Sequence, residues 1–121
     1  MPRKHPRYIL EQDTMFRCDD GSRRDRLLEE RRRTGVSPDE CWSLDYSLAC
    51  FMVPRLEVFI RGARSFPCRM GSLGKWKAAL RKMLYAFRKM RSQDVPWKEG
   101  QDARFDEGLR LFREYMLSLW W

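Results

Sequence analysis

The stretch Ser37–Ala63, SPDECWSLDYSLACFMVPRLEVFIRGA, decides the fold, because it opens on the strongest helix-start signal in the chain and then stays apolar for most of its length. Ser37 supplies an N-cap hydroxyl, Pro38 suits the first helical position, and Glu40 stands where a capping box places its acid. Asp39 and Glu40 also suit the positive end of a helix dipole. From there Cys41, Leu44, Leu48, Ala49, Met52, Leu56, Phe59, Ile60 and Ala63 recur at steps of three and four. That period predicts a helix over 38–63. Trp42, Phe51 and Val53 widen its apolar face, as expected of a central helix covered on two sides. Pro54 removes an amide donor and crowds the carbonyl of Cys50, so a kink is expected there. Asp45 falls on the side of Cys41, Leu48 and Met52. A carboxylate so placed needs a partner, and a structural polar clamp with Arg55, Arg104 or Arg110 is the expectation.

Working outward, a second amphipathic pattern runs through Leu73, Trp76, Leu80, Met83, Leu84, Phe87 and Met90, predicting a helix over 72–91. Ser92 to Gly100, with Pro96, reads as a loop. Phe105, Leu109, Phe112, Met116 and Leu119 then alternate steps of four and three, predicting a last helix over 101–119 with a bundle-type seam. Toward the N-terminus, a helix from Ser22 to Arg33 has only Leu27 and Leu28 to bury, and Thr34-Gly35 stops it. Residues 1–21 hold Pro2, Pro6 and an Asp-Asp-Gly turn signal and read as a partly flexible arm. No strand-like alternation and no internal repeat occurs. The expected fold is all-α: a compact bundle of three main helices plus one or two short N-terminal ones, in a single domain over 22–121. A chain of 121 residues supports one core of this kind.

Charge is the least ordinary feature. The formal net charge is +8, yet the segment from Val58 to Gln93 alone carries ten Lys or Arg and no acid. Taking Trp76 as the core direction, Lys77, Arg81 and Arg88 fall at about 100 to 140° around the 72–91 helix. Lys75, Lys82 and Lys89 fall at about 220 to 260° by the same geometry. With Arg91, they make the whole wet side of that helix cationic. Solvated helices ordinarily mix signs, because like charges at i,i+4 repel. The unmixed face points to an anionic partner, with phosphate backbones and acidic protein surfaces the two classes that fit. Arg61, Arg64 and Arg69 are placed to extend the patch. The plainer alternative is a solubilising face, or one that meets the acids of the same chain.

Catalytic signatures are lacking. The single histidine, His5, lies in the arm, which excludes Ser-His-Asp and Cys-His arrangements, and Gly71-Ser-Leu-Gly74 lacks the ending of a phosphate loop. Cys18, Cys41, Cys50 and Cys68 form no CxxC pair and read as reduced thiols. The acid pairs Asp19/Asp20 and Asp39/Glu40 are explained by a turn and a helix start. Neither enzyme activity, metal nor cofactor is expected. The segment MPRKHPRYIL lacks the apolar run of a secretory signal, and no stretch reaches the roughly 18 apolar residues of a membrane span. At the C-terminus, Leu119-Trp120-Trp121 brings two indoles together. Trp120 is expected to turn inward after Leu119, and Trp121 is the candidate interface anchor.

Trp42-Ser43-Leu44-Asp45, Pro54-Arg55-Leu56, Trp76, Lys82-Met83, Ala86-Phe87, Glu107-Gly108-Leu109, Leu111-Phe112, Tyr115 and Leu119-Trp120-Trp121 occur here in a fixed order. That pattern, over Pro38 to Trp121, resembles a group of small helical proteins encoded by bacteriophages and prophages. The resemblance implies a helical fold in which Asp45 and Pro54 belong to the framework, a phage setting, and hence the cytoplasm of a bacterial host. It implies no catalytic residues. In the group the third helix carries acids beside its Trp and Lys-Met; here Lys75, Lys77 and Arg81 take that surface, so no function carries over to the patch. With the small size and focused charge, the expectation is a non-enzymatic protein binding a host macromolecular complex, a defence system such as a CRISPR effector being one example. A general DNA- or RNA-binding accessory protein is the alternative, and a virion or assembly component a weaker one.

Overall fold

The computed structural model describes residues 21–36, 38–41, 43–93, 98 and 100–120, with 21–24, 38 and 39 described by backbone alone. The arm up to Asp20, the capping residue Ser37, Trp42 and Trp121 lie outside the described residues. All regular structure among those described is helical. The helices are α1 (Gly21–Thr34), α2 (Pro38–Cys41), α3 (Leu44–Gly62), α4 (Leu73–Ser92) and α5 (Ala103–Tyr115). Two 3-10 turns, Cys68–Met70 and Met116–Ser118, complete the order. The fold is an all-α bundle, and its contacts group into two compact units, Met1–Phe51 and Met52–Trp121, whose boundary falls inside α3.

In the first unit α1, α2 and the start of α3 pack together. Helix α1 stops where expected: Gly35 takes φ 87°, and its N–H donates to the Arg31 carbonyl at 2.8 Å. Leu27 is its buried apolar anchor. Arg31 is only 1% exposed, and its Nε lies 3.0 Å from Glu40 Oε1 in α2. That N–H is not aimed for a hydrogen bond, so at this atom the contact is purely ionic. Ser47 in α3 donates its hydroxyl to the Glu40 carbonyl at 2.8 Å. One acid residue thus meets both neighbouring helices.

The expected helix over 38–63 is broken. Ser43 interrupts it as a turn, and its carbonyl accepts the first bond of α3 from Ser47 N–H at 3.0 Å. Asp45 therefore stands in the first turn of α3, exposed, and accepts a 2.7 Å bond from the Ser43 hydroxyl. A carboxylate there complements the helix dipole. The burial expected of it is not observed: Asp45 is exposed, and Arg55 is half-buried. Helix α3 runs on through Pro54, whose ring is exposed.

The second unit is built on α4. Its buried residues, Trp76, Ala79, Leu80, Met83, Leu84, Ala86, Phe87 and Met90, follow the sequence pattern closely. Ser72 caps its start by accepting from Lys75 N–H at 3.1 Å, and Gln93, at φ 65°, ends it one residue beyond the expected 91. Val53, Leu56 and Ile60 are the buried residues of the second half of α3, and Ala63 is buried just after it. Helix α5 is shorter than the expected 101–119. Asp102 caps it through Arg104 N–H and Phe105 N–H, both at 3.1 Å, and it gives way to a 3-10 turn after Tyr115. Its buried line is Phe105, Gly108, Leu111 and Tyr115, one residue out of phase with the expected seam. Gly108 is the reason. A side chain there would collide with the Lys82 carbonyl oxygen and reach within 2.8 Å of the Ala86 methyl, so α5 presses its backbone against α4 at this point. Phe87 meets Phe112 edge-on at 4.9 Å, and Trp76 meets Tyr115 at 5.5 Å.

Candidate functional site

The outer face of α4 holds the two cation rows, and each row borders a neighbouring helix. On the α3 side, Arg88 donates to Glu57 at 3.0 Å. On the α5 side, the Lys89 ammonium lies 4.0 Å from Asp102. Arg69 is also engaged: its guanidinium lies 4.3 Å over the Tyr115 ring and donates to the Glu114 carbonyl at 3.0 Å. These three belong to the framework as much as to any patch. Lys75, Arg81 and Lys82 are exposed, and none has an acidic oxygen within 4.0 Å among the described residues. Arg61, Arg64 and Arg91 are exposed as well, and Lys77 is half-buried. The structure therefore keeps an open cationic strip along α4 and draws Arg69, Arg88 and Lys89 out of it.

Beside that strip, α4 and α5 enclose a groove of about 370 Å³ lined by Arg81, Lys82, Tyr85, Ala103, Arg104 and Glu107. Tyr85 interrupts the cationic face and turns to α5, donating its hydroxyl to Asp102 at 3.0 Å. The Arg104 guanidinium lies 4.2 Å over the Tyr85 ring. Arg104 adds a cation from the first turn of α5 to the α4 strip. The signal for this in the sequence is Tyr85 itself, an aromatic set among lysines and arginines on the wet side of α4.

The acids at the groove are held ionised and occupied. Hydrogen bonds from Phe105 N–H above all, then from the Tyr85 hydroxyl and Arg104 N–H, with the charge of Lys89, lower the Asp102 pKa, outweighing partial burial. Arg110 donates to both oxygens of Glu107, at 2.9 and 2.8 Å, and its bonds and charge, with the charge of Lys82, hold that carboxyl below its ordinary value. Arg110 also donates to Glu114 at 2.8 Å. What remains for a visitor is positive charge over an aromatic and aliphatic floor.

Elsewhere the structure departs from expectation at the C-terminus. Trp120 is 73% exposed, because the chain leaves helical geometry at Met116–Ser118 and the indole no longer follows the α5 period. It lines a small cavity with Ser65, Phe66, Pro67, Trp76 and Ser118. Cys41, Cys50 and Cys68 are not in disulfides. Among the described residues no three His, Cys, Asp or Glu converge as a metal site, and no helix is long and apolar enough to cross a membrane. No family model, curated protein or solved structure matches the chain.

Proposed function

We propose that this chain is a non-enzymatic interaction protein that binds a phosphate-bearing macromolecule, a host nucleic acid or ribonucleoprotein complex, through the cationic face of α4. The observation that carries the reading is the open trio Lys75, Arg81 and Lys82, exposed and with no acidic oxygen within 4.0 Å among the described residues. Three like charges within about two turns of one helix repel one another, and an anionic partner relieves that cost while releasing counterions. The hydrogen bonding of Glu107 and Asp102 supports the same reading, since Arg110 holds both oxygens of Glu107 and the first turn of α5 holds Asp102.

The test is binding of the full chain to a labelled nucleic-acid duplex at low salt, with Lys75→Glu/Lys82→Glu as the variant. Affinity is expected to fall by at least about tenfold while the helical circular-dichroism signal is kept. Unchanged affinity removes the face from consideration. Pull-down from host lysate with and without nuclease separates the partner classes. Capture that survives nuclease with no RNA or DNA left in the captured material assigns the strip to an acidic protein surface and overturns the phosphate reading.

A further inference from the structure

The α4–α5 groove differs from the rest of the strip in enclosing a volume and in holding a guanidinium stacked on an aromatic ring. Its volume, about 370 Å³, lies within the roughly 300–1,000 Å³ of sites that enclose small ligands or single chemical units. Arg81 and Lys82 stand at its α4 rim and Arg104 on its α5 side. Tyr85 backs the Arg104 guanidinium at 4.2 Å, and the Tyr85 hydroxyl is tied to Asp102, so the ring that carries the guanidinium is held in place. Glu107, the one acid in the lining, is fixed by two bonds from Arg110.

We propose that this groove takes one unpaired nucleotide of a single-stranded nucleic acid, which narrows the phosphate-binding reading of α4 and rests on it. A planar base lies on the guanidinium of Arg104 and the apolar floor of Ala103 and Tyr85, while the adjoining phosphate stays at the rim with Arg81 and Lys82. Stacking of bases on aromatic rings and Arg planes is the common means of holding unpaired nucleotides. The carboxylate of Glu107 favours this orientation. It repels a phosphate driven into the groove, and it retains acceptor capacity beyond the two bonds from Arg110 for base N–H groups. A duplex has its base faces covered by neighbours, so it reaches the cation strip but not the groove.

The experiment compares fluorescence anisotropy of the full chain with a labelled oligothymidylate of about 12 nucleotides and with a duplex of the same length, at about 50 mM salt. The strand is expected to bind roughly tenfold tighter than the duplex. Arg104→Lys keeps the charge and removes the plane; it is expected to erase that preference by weakening strand binding alone. Lys75→Glu, outside the groove, is expected to weaken both forms alike. Equal affinity of the parent chain for strand and duplex overturns the groove proposal and leaves the strip standing. So does an undiminished preference in Arg104→Lys. Failure to bind either form overturns both readings. Circular dichroism of each variant confirms that the helices are intact.

Discussion

A methyl group added at Gly108 meets the backbone of Lys82 and the side chain of Ala86, whereas one at Gly74 meets nothing within 4 Å. The two helical glycines should therefore respond oppositely to alanine. Gly108→Ala is expected to cost about 1–3 kcal/mol through overpacking. Gly74→Ala is expected to gain about 0.5–1 kcal/mol, because alanine loses less backbone freedom on folding. Urea denaturation of both variants checks the pair, and a neutral Gly108→Ala removes the close crossing. Asp102 makes a second residue-scale case. Its pKa is lowered in the fold, first by Phe105 N–H and then by Tyr85, Arg104 N–H and Lys89. A depressed carboxyl contributes stability that is complete above its unfolded value and disappears as pH falls through the folded one. The urea midpoint should thus fall below about pH 4, and Asp102→Asn, which keeps the cap but not the charge, should flatten that part of the profile by lowering the neutral-pH midpoint toward the acid one.

At the level of single helices, α4 was legible and α3 and α5 were legible in extent better than in rotation. The α4 pattern holds because its large apolar residues Trp76, Leu80, Met83, Leu84, Phe87 and Met90 all fall on its buried side. In α3 the bulkier stripe, Leu44, Leu48, Phe51 and Val58, is exposed, and the buried seam runs through Ala49, Val53, Leu56 and Ile60. In α5 the contact line passes through Gly108. Periodicity ranks side chains by size, but close approach of two backbones selects small ones, which carry almost no hydropathy signal. The same error put Asp45 inside. The break at Ser43 was concealed because the residues on either side fit a single period. A paired substitution tests the rotation of α3: Leu56→Ala should lose about 2–5 kcal/mol, and Leu44→Ala, at 65% exposure, no more than about 0.5. Comparable losses at both sites contradict the observed face. Of the candidate site, the lysines and arginines were legible as a charge run. The groove was not, since it needs Arg104 brought to Tyr85 from another helix.

Across the whole molecule, net charge describes the chain poorly. The total is +8, but the segment from Val58 to Gln93 holds ten cations and no acid, so the remainder is slightly negative. The acids that reach this segment come from outside it, Glu57 to Arg88, Asp102 to Lys89 and Glu114 to Arg69. Each removes a cation at the margin and leaves the centre of α4 uncovered. Binding through that centre should weaken linearly on a log–log plot against salt, and Lys75→Glu/Lys82→Glu should reduce the slope by about two if each residue meets one phosphate. An unaltered slope places the contacts elsewhere. The crossing at Gly108 bears on how such a surface keeps its shape. Because two main chains touch there, the separation between the charges contributed by α4 and by α5 is fixed by peptide geometry instead of by adjustable side chains. The molecule offers its visitor a template of set dimensions, and lengthening that distance by a single methyl should change what it admits before it changes whether it folds.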